Sequence, residues 1–244
     1  QPLKVDYKGY FGIDQIPSGV YDVMNADQYS TYLGQACANS GTLLPGGYSQ
    51  VSDGIYKFQD NTNTDWFKEV FKTGIRQNHN VNLSGGGANN TYNVGLDYYS
   101  QKGTLDGQGP NYQRFTARWN NTMDTKFIKF RTSIVYSHSD QDNTSISNAN
   151  EYIQGLYGNL PNVLLGTVTM QPTIKAYDES TWVLDDLVPM AANVNYDAYG
   201  YGVGYNAIHG DISATNPLLT NNLLERNTLV DRVVATGSAD VDLL

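Results

Sequence analysis

The sequence predicts an all-β chain, an antiparallel portion of a transmembrane β-barrel with long extracellular loops carrying short helices. Three observations carry that expectation. Six segments alternate apolar and polar residues with period two. The connections between them alternate short and long, as in barrels with short turns at one end and long loops at the other. No run of about 18 apolar residues exists to make a membrane helix, whereas a membrane β-strand needs only about 9–11 alternating residues.

The segments run in order. In the first, Leu3, Val5, Tyr7, Phe11 and Ile13 oppose Lys4, Asp6, Lys8 and Tyr10. In the second, His79, Val81 and Leu83 oppose Asn78, Asn80, Asn82 and Ser84; in the third, Tyr92, Val94, Leu96 and Tyr98 oppose Thr91, Asn93, Asp97 and Tyr99. The fourth sets Phe115, Ala117 and Trp119 against Arg114, Thr116 and Arg118, and the fifth Ile128, Phe130, Ile134 and Tyr136 against Lys129, Arg131, Ser133 and Ser137. The sixth has Leu229, Val233, Ala235, Ala239 and Val241 opposite Arg232, Thr236 and Asp240, with Val230 and Asp231 breaking its rhythm. An arginine or lysine facing lipid at the bilayer midplane costs about 2–4 kcal/mol. The apolar faces are therefore expected to meet lipid and the polar faces a hydrated lumen.

Segments two and three are joined by "GGGANN", read as a tight hairpin turn, and four and five by about six residues around "NTMDTK". The other connections are long. Residues 14–76 are expected to form an extracellular loop with two short helices, one over Asn25–Ala36 capped by Asn25 with Tyr29, Tyr32 and Leu33 on one face. The other follows Thr64 or Asp65, turns Trp66, Phe67, Val70 and Phe71 to one side and stops at Gly74. About 12 residues around "KGTLDGQGPN" make a third-to-fourth connection, and residues 140–225 an acidic, Tyr-rich extracellular loop. Its stretch Asn193–Asn206 reads as irregular loop.

Composition narrows the function. The 244 residues hold 19 tyrosines against seven phenylalanines, and tyrosine suits surfaces with one apolar and one wet side. The net charge is −9, and it is concentrated: residues 140–225 carry ten acids and one base, Lys175. Such a block repels phosphate and argues against a nucleic-acid partner; it is expected to be a solvated loop. Cys37 stands alone, so no internal disulfide forms, and it is expected to be a small buried side chain.

No catalytic constellation stands out. His79, His138 and His209 lack metal-ligand spacing. "DQDNTS" from Asp140 to Ser145 misplaces the glycine and distal glutamate of a calcium loop and is expected to be a loop-tip turn. "GGGANN" lacks the lysine of a phosphate loop, and nothing holds Asp185 and Asp186 apart across a cleft. The expectation is a protein that is not an enzyme, with no catalytic, cofactor or metal residues. The acidic stretch instead offers aromatic candidates for contact with a partner or substrate: Tyr157 and Trp182 foremost, with Tyr199 and Tyr201.

Specific stretches resemble the SusC/RagA family of TonB-dependent outer-membrane transporters of Bacteroidetes. "TDWFKEVF", "QNHNVNLSGG", "YNVGLDYYSQKGTL" and "RFTARWNNTMD" carry the likeness between residues 63 and 139. "LKVDYKGYFGI", "VMNADQYSTYL" and "SATNPLLTNNLLERNTLVDRVVATGSADVDL" extend it more loosely toward both ends. The resemblance implies that residues 1–244 are the N-terminal part of a roughly 22-stranded barrel, beginning just after a plug domain. Six strands cannot close a barrel, since single-chain barrels start at about eight. It further implies outer-membrane localisation, uptake of glycans or peptides, a SusD-like surface lipoprotein as partner, and energy from the TonB complex through the missing N-terminal region. The alternatives left open by the residues are a soluble carbohydrate-binding or adhesin-like β module and, less well supported, a β-sandwich glycoside hydrolase.

Overall fold

The structure, a computed structural model, describes residues 2–17, 21–144, 163–177, 194–196, 202–204, 217–223 and 227–241. Six long strands form one antiparallel sheet: β1 (Lys4–Asp14), β4 (Gly74–Gly86), β5 (Asn90–Lys102), β6 (Asn111–Asp124), β7 (Ile128–Asp142) and β10 (Asn227–Val241). Their spatial order is their order along the chain. Each of the six alternating segments of the sequence is one of these strands. The strands have 11 to 15 residues, more than the roughly 9–11 a membrane crossing needs.

At one end the connections are tight. Residues 87–89 join β4 to β5, and residues 125–127 join β6 to β7. The second turn is shorter than the six residues the sequence suggests, because Thr125 closes it on Ile128: the Thr125 N–H donates to the Ile128 carbonyl at 2.9 Å and Ile128 N–H to Thr125 Oγ1 at 3.1 Å. In the first turn a β-carbon on Gly86 would lie 2.3 Å from the Asn90 carbonyl oxygen, so only glycine fits. Asp124 N–H reaches the Asn89 carbonyl at 2.7 Å and ties the two turns together.

Residues 15–73, 103–110 and 143–226 connect the strands at the other end. The first connection holds α1 (Ala26–Ser40), the hairpin of β2 (Tyr48–Ser52) and β3 (Ile55–Phe58), and α2 (Trp66–Val70). Asn25 caps α1 through a full capping box: its side chain accepts from Gln28 N–H at 2.9 Å while Gln28 accepts from Asn25 N–H at 3.0 Å. Gly41, at φ 68°, closes the helix four residues beyond its expected end. The buried face is Ala26, Ser30, Leu33, Gly34 and Cys37. Tyr32 is exposed, contrary to its place in the expected face; the helix rests on β2 and β3 through Gly34, where a β-carbon would strike the Tyr56 ring at 2.1 Å. Asn25→Ala is expected to cost about 1 kcal/mol and to speed amide exchange in the first turn of α1 in the full-length protein. Exchange unchanged there would mean the cap adds nothing.

Helix α2 is shorter than its pattern suggests. Asp65 is the cap, accepting from Lys68 N–H at 3.2 Å. Phe71 leaves the helix as extended backbone and bridges to Leu105, with Lys72 N–H donating to Thr104 at 2.7 Å and Asp106 N–H to Val70 at 2.8 Å. Pairing with the 103–110 connection ends the helix. Gly74 does not stop it; it opens β4, where a β-carbon would sit 2.8 Å from the Lys102 carbonyl.

The acidic connection departs most from expectation. Asp140 and Asp142 belong to β7, and the Asn227 amide donates to both, at 2.5 and 2.9 Å; they are a strand end rather than a loop tip. Within the stretch read as irregular, β8 (Val194–Tyr196) pairs with β9 (Gly202–Gly204). Helices α3 (Val163–Thr169) and α4 (Pro217–Leu223) lie further out in sequence. Parts of this insertion are buried, not solvated: Val163, Met170, Ile174, Ala176 and Leu218 join Trp66, Val70 and Leu105 in one apolar core. Polar bonds stitch it. Trp66 Nε1 donates to the Gln171 carbonyl at 3.0 Å, Thr64 Oγ1 to the Ile174 carbonyl at 2.6 Å, and the buried Asn221 amide to the carbonyls of Asp106 and Gly109 at 2.6 and 2.8 Å. The three long connections thus form a cap at one end of the sheet.

Candidate functional site

The register turns six alternating strands into two chemically opposite faces. One straight row on the apolar face reads Val5, Leu83, Val94, Trp119, Ile134 and Ala235; the next reads Tyr7, Val81, Leu96, Ala117, Tyr136 and Val233. Toward the cap follows an aromatic and hydrogen-bonding row of Gly9, His79, Tyr98, Phe115, His138 and Asp231. Tyr7 is hydrogen-bonded to His79 Nδ1 at 2.7 Å, and Tyr136 Oη and His138 Nδ1 both reach Asp231 Oδ1, at 2.7 and 2.8 Å. His79 thus occupies the structural strand position its sequence setting indicates. Asp231, which breaks the alternation, sits where two neighbouring side chains satisfy it.

The opposite face collects the charge. Arg76–Asp14 at 3.3 Å, Arg114–Asp97 at 3.7 Å, Lys4–Asp6 at 3.0 Å, Lys129–Asp124 at 3.5 Å and Arg131–Asp240 at 2.5 Å all lie on it. Arg118 and Arg232 share the face; Lys102, at the cap end of β5, is on the other. The most enclosed of these groups is Asp97, with only 15% of its side chain exposed. Asn78 and Asn80 from β4 donate to its Oδ2 at 3.2 and 3.4 Å, while Arg114 approaches from β6. Gly95, one row toward the short turns, leaves the space that the Arg118 guanidinium borders. Further toward the cap, Tyr99 and Tyr112 stand with ring centroids 5.9 Å apart. This surface of amides, paired charges and tyrosine rings can hydrogen-bond a polar solute throughout its length. It has no nucleophile–base pair, and no cluster of three metal-ligating side chains occurs among the described residues.

The alternation assigned these residues to their face. Only the pairing brings Asn78, Asn80, Asp97 and Arg114 together, because they come from three strands. Tyr157, Trp182, Tyr199 and Tyr201, the aromatic candidates of the insertion, lie outside the described residues. The cap also holds Tyr48, which sequence alone did not single out, and Asp65, which it offered as a helix cap. Burial raises the Tyr48 pKa, with the Thr173 hydroxyl, 2.7 Å away, partly opposing it. Burial also acts to raise that of Asp65, but the hydrogen bonds and charge of Lys68 outweigh it and hold Asp65 below the ordinary aspartate value of 3.8. A depressed folded-state pKa contributes stability above the unfolded value and loses it as pH falls through the folded one. The protection of the α2 amides, observed exchange corrected for the intrinsic rate at each pH, is therefore expected to be level from neutral pH down to about pH 4 and to fall below it in the wild type, but not in Asp65→Asn. Equal acid sensitivity in both would remove Asp65 as the cause.

No family model matches the chain. Among curated proteins it is 32% identical over 120 residues to the TonB-dependent receptor SusC of Bacteroides thetaiotaomicron, covering 49% of this chain and 10% of that one. It is 29% identical over 125 residues to the TonB-dependent receptor P3 of Formosa agariphila, covering 51% and 11%. Its fold overlays solved structures of the RagAB peptide transporter (TM-score 0.64, 15% identity) and of the RagAB peptide importer in its closed-closed state (TM-score 0.61, 16% identity). Both overlays cover 100% of this chain and 26% of the other. The class is one of likeness: the fold is that of an antiparallel barrel segment, and the chain is similar to TonB-dependent receptors, proteins of the outer membrane. Within that class the chain is SusC/RagA-like, as its QNHNVNLSGG strand and the strands after it indicate. The matches span about a tenth of the curated relatives' length, and those relatives are named as receptors rather than enzymes.

Proposed function

We propose that this chain is a wall section of an outer-membrane importer, that its charged face lines a hydrated path, and that the solute is a glycan or a peptide. The observation that carries this is the segregation of charge. All five Lys/Arg–acid pairs described within the six-stranded sheet share one face, while two successive rows of the other are made of aliphatic and aromatic side chains. Lipid tolerates only the second. By the same reasoning the tight turns at 87–89 and 125–127 are periplasmic, and the connections 15–73, 103–110 and 143–226 are extracellular.

The likeness to SusC and RagAB supports two further parts of the reading: energy from TonB, and a SusD-like surface lipoprotein seated over the cap. Tyr157, Trp182, Tyr199 and Tyr201 are the proposed contacts for that partner or for solute. Deleting the gene for the full-length protein is expected to abolish growth on at least one oligosaccharide or peptide nutrient, and a copy with Tyr157→Ala and Trp182→Ala to recover less lipoprotein on pull-down. Growth on every nutrient at the parental rate would end the import reading. Full lipoprotein recovery with the double variant would leave import standing and remove these two anchors.

A further inference from the structure

Arg118 stands on the charged face without a counter-ion. Five other cations of that face are paired with acids. Among the described residues Lys8, Arg118 and Arg232 are not, and of these only Arg118 lies on an inner strand, with β5 on one side and β7 on the other. Its two register partners, Gly95 and Val135, carry no polar side chain. Asp97, one row toward the cap, is held instead by Arg114, Asn78 and Asn80.

Gly95 is bare without a structural need. A β-carbon on Gly74 or Gly86 would lie 2.8 or 2.3 Å from a backbone oxygen. One on Gly95 would meet nothing nearer than Asn82 Oδ1 at 3.6 Å and Arg118 Nε at 3.8 Å, ordinary contact distances. Its pairing with Asn82 and Arg118 runs in unbroken register, so no bulge calls for glycine. Glycine inside a strand weakens it and marks a place where a ligand or another backbone comes close. Here it leaves a gap floored by buried backbone and overhung by the Arg118 guanidinium. One row toward the short turns Asn93 faces Asn120. The Asn120 oxygen accepts the Ser133 hydroxyl at 2.7 Å, which leaves its amide N–H to donate elsewhere.

A guanidinium beside an amide donor suits a planar anion. Two parallel N–H groups match the two oxygens of a carboxylate, whereas a neutral hydroxyl would leave the charge unanswered. We propose that Gly95 and Arg118 form a seat for a carboxylate of the passing solute, with the Asn120 amide as second donor. Uronic-acid sugars and acidic peptides both carry that group, and the seat reads the group rather than the chain that bears it. The proposal rests on the reading of this face as the solute path and narrows the solute to an anion.

The test is calorimetry on the full-length protein in detergent. Trigalacturonate and triglutamate are the carboxylate probes, maltotriose and trialanine the neutral ones, both peptides with blocked ends. At least one carboxylate probe is expected to bind more tightly than its neutral counterpart, and to weaken as salt is raised. Arg118→Gln should weaken that binding about tenfold, the scale of one charge-assisted hydrogen bond. Arg118→Lys, which keeps the charge and loses the fork, should weaken it less. Gly95→Val fills the gap with Arg118 still in place and should weaken it too. Binding of trigalacturonate alone names a uronate source, of triglutamate alone a peptide, and of both a seat that reads only the carboxylate. The proposal is overturned if neither carboxylate probe binds, if Arg118→Gln or Gly95→Val binds as the wild type does, or if a neutral probe loses as much affinity as the charged one. Growth of the deletion strain is scored separately. A lost nutrient with binding indifferent to Arg118 removes the seat and keeps the importer; binding that depends on Arg118 with no nutrient lost keeps the seat and removes the import reading.

Discussion

Trp66→Ala is expected to unfold the cap and leave the strands below it paired. Trp66 is 2% exposed at the centre of the core that unites α2, α3, α4 and Leu105. Its loss removes a large ring from a packed site, which costs about 3–5 kcal/mol, and leaves the Gln171 carbonyl without the indole N–H that now meets it at 3.0 Å. A cap built from three chain segments with one shared core has few other contacts to absorb that. Limited trypsin digestion of the full-length protein reads the outcome directly. Lys175 lies between the buried Ile174 and Ala176, so cleavage after it should become fast in the variant. The barrel should keep its heat-modifiable mobility on gels. Cleavage at the wild-type rate would mean that the shared core does not hold the insertion in place.

Val94→Arg and Asn93→Arg test the two faces at adjacent positions. Val94 lies in the apolar row between Leu83 and Trp119; Asn93 lies between Ser84 and Asn120 on the charged face. If the apolar face meets lipid, Val94→Arg should cost about 2–4 kcal/mol when its row is near the bilayer midplane and less toward either interface. Asn93→Arg should cost under about 1 kcal/mol, since its side chain stays in water. Urea unfolding of the full-length protein from lipid vesicles gives both values. A larger loss for Asn93→Arg would invert the assignment of the faces and with it the proposed path.

These contrasts follow what the sequence could and could not carry. Period two survives in a strand because each residue's neighbours along one face lie two positions away, so all six strands and the identity of their faces were legible. Even Asp231, which interrupts the pattern, obeys the geometry once His138 and Tyr136 are seen beside it. The hairpin of β2 and β3 was legible too and was missed: Asp53-Gly54 is a two-residue turn signal between alternating flanks, with Gly54 at φ 68°. The cap was legible only in part. Asn25 and Asp65 announce α1 and α2, but α3 and α4 have seven residues each, too few for a helical period to declare itself. Phe71 follows the apolar spacing of a helix, but pairing with Leu105 draws it into extended backbone. The Tyr21 and Phe67 rings, with centroids 5.9 Å apart, likewise meet from opposite ends of the first connection.

The separation between sheet and cap has a consequence for how the molecule assembles. The six strands of the sheet pair in their own chain order, and two of the five pairs, β4–β5 and β6–β7, are joined by turns of only three residues. The bonds that hold the cap join residues 105, 110 and 112 positions apart, and closing such long loops costs conformational entropy before any contact repays it. The β4–β5 and β6–β7 hairpins can therefore close early, whereas β1, β10 and the cap wait on the connections 15–73 and 143–226. Assembly is staged: two local hairpins come first, and the two outer strands lock together with the extramembrane part, once the pieces that lie furthest apart along the chain have met.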